Sequence, residues 1–221
     1  MVNACLLKVY ATILVAIIFI WLCFAAFRRL NVPIGNIWAF LLSFIVLIGL
    51  TIFISKMTFG IPKVLVSLIM LVALAYIIYP LVASLPNQDV MKYFFITLAY
   101  FAVLSLIVFL LPENVFLKWG NVLLILLLSL IIFGLFGVLL FRNSPQFQRT
   151  FSILILIVFG LLVLYDTQIV LKTCKITDGK IDVINSSLSL LLDLVNIFGG
   201  VTGVSTSPMP SLPSSPFSIP V

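Results

Sequence analysis

Hydrophobic residues in this chain run in long blocks instead of alternating. Seven blocks, about 6–27, 34–55, 62–85, 93–111, 119–141, 150–171 and 183–203, are apolar almost throughout. A helix of about 20 apolar residues crosses a ~30 Å hydrocarbon core. A barrel strand instead needs about 10 residues of strict alternation, and a stretch such as "NVLLILLLSLIIFGLFGVLL" does not alternate. The pattern predicts an all-α integral membrane protein, a seven-transmembrane-helix bundle. The breaks between blocks are short and polar, "RRLNVP" and "PNQDVMK" among them. Such connections set neighbouring helices antiparallel and leave no room for a separate soluble domain, so residues 1–204 read as one transmembrane domain. The first block is too long for a signal-peptide core of about 7–15 residues, which makes it the first expected span. The last block is less apolar than the others. Residues 205–221, "STSPMPSLPSSPFSIPV", carry no charge and are rich in Ser and Pro, the composition of a disordered tail.

Composition supports this picture. The chain is 64% hydrophobic and 8% charged, against roughly 25% charged in soluble domains. Its net charge of +6 comes from Lys and Arg at block ends, with no basic cluster that could follow a phosphate backbone, so no nucleic-acid partner is expected. Histidine is absent, and the three cysteines, Cys5, Cys23 and Cys174, are scattered. That spacing argues against a disulfide framework or a zinc site. Seven basic residues (Lys8, Lys56, Lys63, Lys118, Lys172, Lys175, Lys180) fall on one side of the bundle and five (Arg28, Arg29, Lys92, Arg142, Arg149) on the other. The excess favours a cytosolic N-terminus.

Two of the six acidic residues break this economy. Asp166 lies in "LLVLYDTQIV" and Asp193 in "SLLLDLVNIF". An Asp at the centre of a spanning helix costs roughly 2.5–3.5 kcal/mol on insertion scales, and such residues usually face the bundle interior along an ion or proton path. The sixth and seventh blocks are joined by a short loop and run antiparallel. Counting back from the loop at ~1.5 Å per residue puts Asp166 about 8 Å deep and Asp193 about 15 Å deep. Their carboxylates can meet within about one turn, and two carboxylates that meet hold a single proton between them.

The seventh block carries a further order. Asp182, Ser186, Ser189, Asp193, Asn196, Gly200 and Gly203 follow steps of 4, 3, 4, 3, 4 and 3 and share one helical face. That face turns to the bundle, and its Leu, Val and Ile opposite turn to lipid or core. Gly199 and Gly203 form a Gly-x-x-x-Gly pair suited to close helix packing. Tyr76, Tyr79 and Pro80 in "LAYIIYPLVA" suggest a kink in the third helix. No nucleophile-elbow, zinc-protease or phosphate-loop pattern occurs. An aspartyl intramembrane protease would need Gly-x-Gly-Asp, where Asp193 follows "LLL". The chain reads as a non-enzyme.

Tyr165, Asp166, Thr167 and Gln168, together with Leu192, Asp193, Asn196 and Phe198 at a fixed distance after Asp182, resemble the transmembrane Bax inhibitor motif family, which includes the Bax inhibitor, lifeguard and Golgi anti-apoptotic branches. The opening "LLKVYATIL" is similar as well. The resemblance implies a pH-sensitive calcium leak channel that modulates calcium stores and cell death. Asp166 and Asp193 would be the pH sensor and line the ion path, holding calcium transiently. Tyr165, Thr167, Gln168, Asp182, Ser186, Ser189 and Asn196 would support them, and Gly199, Gly200 and Gly203 would serve packing. It implies no cofactor, with calcium as the permeant ion. The implied partners are the lipid bilayer, calcium ions, protons and other membrane proteins. The implied site is the endoplasmic reticulum or Golgi membrane for a eukaryotic or viral member, and the plasma membrane for a bacterial one. Three features depart from the family: the third helix lacks its Glu-Gly pair, the second helix has no basic residue before Lys56, and a Ser/Pro segment stands in place of the charged C-terminal tail of several members. The alternative is therefore a non-conducting multipass regulator of apoptosis or trafficking that acts through protein partners.

Overall fold

A computed structural model of the chain describes residues 2–33, 37–58, 60–112, 115–140, 144–177 and 181–206. Arg142, Lys180 and residues 207–221 of the expected tail lie outside them. Seven α-helices follow in order: α1 (Val2–Arg29), α2 (Ile37–Lys56), α3 (Ile61–Ala83), α4 (Asn87–Leu110), α5 (Gly120–Leu140), α6 (Pro145–Ile176) and α7 (Val183–Thr206). One 3-10 turn, Leu117–Trp119, leads into α5. Six of these helices are long and apolar enough to span a membrane; the described apolar stretch of α2, Leu42–Lys56, is shorter. The less apolar last block forms a full-length helix, and residues 205 and 206, expected in the tail, are its final turn.

Local chemistry sets the ends. Ser144 accepts a hydrogen bond from the Phe147 amide at 3.3 Å, and Pro145 occupies the first position of α6, where a missing N–H costs nothing. Asp182 caps α7, its Oδ1 accepting from the Asn185 amide at 3.2 Å. Pro80 lies inside α3, which continues to Ala83. Tyr76 and Tyr79 both meet the ring of Phe27 on α1.

The layering follows polarity. α7, whose membrane-length stretch is the least apolar, sits at the centre and touches α1, α3, α4 and, most extensively, α6. Leu190, Leu191, Leu194, Ile197 and Val201 of α7 are buried, so the face opposite its polar stripe meets the core, not lipid. α2 packs on α3 and α5 on α6 at the periphery. Leu124, Phe136, Ile45 and similar side chains there point outward, as expected where the solvent is hydrocarbon.

Three long-range ties hold the bundle. Lys63, the third residue of α3, is fully buried and forms an ion pair with Asp182 while donating to the Met57 carbonyl at 3.1 Å. At the other end, Arg28 donates to Asn87 Oδ1 at 2.7 Å. Cys5 and Cys174 form a disulfide across 169 residues, joining the start of α1 to the end of α6. This corrects the expectation from spacing: antiparallel topology brings together cysteines that the sequence keeps far apart.

Helix packing between α6 and α7 rests on Gly200 and Gly203. A methyl group on Gly200 would meet Leu156 at 2.9 Å, and one on Gly203 would overlap the Ser152 hydroxyl. A methyl group on Gly199 would meet nothing within 4 Å, so the close approach uses an i, i+3 pair and Gly199 stands aside from it.

Two stability outcomes follow. Asp182→Asn keeps a good cap residue but leaves Lys63 buried without a counter-charge. The expected loss is about 3 kcal/mol, the low end for buried pairs, because the Asp182 side chain is 35% exposed. The Lys63→Met/Asp182→Asn double variant recovers most of it. Gly203→Leu lowers stability by about 1–3 kcal/mol through overpacking, while Gly199→Ala does not. Thermal unfolding of detergent-purified protein reads all four; equal midpoints for Gly203→Leu and the parent would contradict the packing.

Candidate functional site

The two aspartates come level with one another. α6 runs to Ile176, five residues beyond its apolar block, so Asp166 lies ten residues from the loop end of its helix (176 − 166). Asp193 also lies ten residues from the loop end of its own (193 − 183). Both are therefore about 15 Å deep at ~1.5 Å per residue, which corrects the shallower depth expected for Asp166. The Asp166 carboxylate accepts a hydrogen bond from the Ser189 hydroxyl, one helical turn before Asp193. Asp193 is 5% exposed and within electrostatic reach of Asp166.

Asp193 is unusual in what it lacks. Its Oδ2 is buried and has no hydrogen-bond partner among the described residues. The same holds for Thr167 Oγ1 on α6, Tyr10 Oη on α1 and Ser105 Oγ on α4. Buried polar atoms without partners usually mark a site for water, an ion or a proton. All four lie in the half of the bundle that contains the α6–α7 loop, and all four helices pack on or include α7. No group of three or more His, Cys, Asp or Glu side chains converges among the described residues. Among the described residues the two carboxylates have no third such ligand beside them.

The remaining candidates divide by role. Gln168 braces the α4–α5 connection: its Oε1 accepts from the Phe116 amide at 2.9 Å and its Nε2 donates to the Pro112 carbonyl at 3.3 Å. Tyr165 lies against the start of α5, where a methyl group on Gly120 would meet its hydroxyl at 2.6 Å. Thr167 is fully buried between its neighbours. Asn196 turns its amide back to the Leu192 carbonyl on its own helix at 2.8 Å. Ser186 is half-buried. Asp182 belongs to the loop end, paired with Lys63 and about three turns away from Asp193.

Sequence reasoning missed three groups. Lys63 read as a membrane-flank charge, yet it supplies the buried basic partner that the second helix lacks, one loop later and to Asp182 instead of the deep pair. Its position in "GIPKVLVS", directly after a helix-starting proline, was the available signal. Tyr10 and Ser105 carried no signal, since a single hydroxyl in an apolar helix usually bonds its own backbone.

Comparisons with known proteins point one way. No curated protein matches the chain closely. Residues 2–202 match the family model described as "Inhibitor of apoptosis-promoting Bax1". The match takes in α1 through nearly all of α7, including both aspartates and the Tyr165–Gln168 run. Together with the apolar helices it makes this a multipass membrane protein, and it supports a membrane role in regulating apoptosis. The chain belongs to the Bax inhibitor family.

Proposed function

We propose that the protein is a pH-sensitive calcium leak channel with seven crossings, α2 being the seventh. The observation that carries this reading is the buried, unpartnered Asp193 oxygen level with the Ser189-bound Asp166 on the adjacent helix. A carboxylate at this depth costs roughly 2.5–3.5 kcal/mol, and no basic side chain offsets it there. A divalent cation or a proton is what two such carboxylates attract. When one proton occupies the pair, the cation meets half the negative charge. When the proton leaves, the site draws calcium from the polar loop end. The Ser189 hydroxyl, already donating to Asp166, holds that carboxylate's orientation in both states. No cofactor and no bond-making chemistry enter this scheme.

A second reading has its own observation. Asp193 is 5% exposed, and the cavities of about 750 and 450 Å³ are both lined without either aspartate. That burial favours a non-conducting regulator of cell death working through membrane protein partners. The two readings separate in a variant that loses flux but keeps cell protection.

Orientation bears on both readings. The basic-residue count favours a cytosolic N-terminus in an internal membrane, or in the plasma membrane of a bacterium. The Cys5–Cys174 disulfide lies at that same end, and disulfides persist in oxidising compartments. On a cytosolic face the two residues would be thiols, and α1 would lose its covalent tie to α6.

Calcium flux into liposomes containing purified protein, followed from pH 5 to 8, tests the channel. Removing a unit charge near a cation changes its energy by ~1–4 kcal/mol at 4 Å over the usual range of effective dielectric. Asp193→Asn and Asp166→Asn should each lower flux at least about fivefold and flatten its pH profile. Unchanged flux and profile in both variants would remove the pair from the mechanism. Cysteine labelling with a membrane-impermeant maleimide in sealed membranes tests orientation. In a chain with Cys5, Cys23 and Cys174 changed to Ala, a cysteine placed at exposed Ile176, at that same end, labels from the cytosolic face with the N-terminus cytosolic and is protected there with the N-terminus on the other side.

A further inference from the structure

A cavity of about 750 Å³ opens at the side of the bundle, between α1, α3 and α7. Ligand sites usually span roughly 300–1,000 Å³. Most of its lining is apolar, Val15, Phe19, Leu68, Leu71, Leu188 and Leu191 among it, and the polar side chains are Lys8, Thr12, Ser67 and Ser187. Val15 and Leu68 are exposed, which places its side opening where acyl chains lie. Along α1 it extends from Lys8 to Phe19, about 16 Å at ~1.5 Å per residue.

One end is polar. Lys8 is exposed, lines the cavity, and has no ion-pair partner among the described residues. The neighbouring turn of α1 packs on α7, where the Ser187 hydroxyl lies 3.1 Å from the Val9 carbonyl and 2.6 Å from the Val183 carbonyl of its own helix. Lys8 therefore sits about one turn below the start of α7, within reach of the membrane surface for a lysine that extends along its stem. Nearby, Lys63 and Asp182 pair with each other. Among the described residues that line the cavity, Lys8 is the one charged side chain.

We propose that this cavity holds an acyl chain of a bilayer phospholipid whose anionic headgroup pairs with Lys8. Two features fix the class of ligand. The long apolar lining takes a chain, not a compact solute. The unpaired ammonium at one end selects negative over zwitterionic headgroups. A bound lipid would fill the wedge between α1 and α3 on α7. The site is separate from the aspartate pair, and its test does not depend on ion flux.

The test is native mass spectrometry of the detergent-purified full chain. The probes are palmitoyl-oleoyl phosphatidylglycerol and the phosphatidylcholine with the same chains. One lysine near an anionic surface contributes about 1 kcal/mol, so the parent should retain phosphatidylglycerol about fivefold better. Lys8→Gln should equalise the two lipids while keeping both bound. Ala11→Trp, which fills the cavity from an exposed lining position, should reduce retention of both. Thr12→Trp at the next lining position serves if the first variant is not monodisperse. Equal retention of the two lipids by the parent, a preference that survives Lys8→Gln, or occupancy unchanged by either tryptophan would overturn the proposal.

Discussion

Hydrocarbon offers no hydrogen bonds, so each polar group at membrane depth has to find its partner inside the protein. This constraint arranges the whole bundle. The helix whose membrane-length stretch is least apolar, α7, becomes the axis on which α1, α3, α4 and α6 pack. The helices that are apolar on all sides, α2 and α5, take the rim, each resting mainly on one neighbour. In water the order would invert, with the polar helix outside. The same constraint explains the serines and threonines that bond back to their own helix, such as Thr97 to Tyr93 and Thr202 to Phe198. Their hydroxyls are satisfied locally and place no demand on packing.

Charge is handled in two ways. At the loop end, Lys63 and Asp182 are paired, and each also bonds the backbone: Lys63 at the end of α2, Asp182 at the start of α7. Such a pair ties two helix hairpins together, and its stability value is modest because both ions lose water to form it. Deeper, Asp193 has no ion-pair partner among the described residues, and its Oδ2 has no hydrogen-bond partner among them. A purely structural role would favour Asn or Leu at that position. The contrast lies within one helix, a satisfied carboxylate at its cap and an unsatisfied one in its middle.

Much of this was legible in the sequence, for definite reasons. Block length and the absence of alternation fixed helices, and the 4-3 spacing of polar residues marked the α7 face. The aspartates were visible because a carboxylate in an apolar run is rare. Depth was not legible, because α6 continues through "LKTCKI", whose lysines look like a loop while its backbone stays helical. The glycine pair was misread for a related cause. A Gly-x-x-x-Gly spacing is a statement about one helix, whereas the meeting with Leu156 and Ser152 depends on how α6 crosses it. The Lys63–Asp182 pair and the Cys5–Cys174 bond join residues 119 and 169 positions apart. Only the complete topology brings these together.

The loop-side half of α7 gathers these features onto a single rigid element. Ser187 reaches the backbone of α1 on one flank, and Ser189, two residues on, reaches Asp166 of α6 on the other. Leu188 and Leu191 line the lateral cavity, and Asp182 anchors the start of the helix to α3. Two residues of helix subtend about 200°, so the serines face nearly opposite neighbours while moving as one body. The walls of the lateral cavity and the contacts of the two aspartates thus meet on one helix, on different flanks of it.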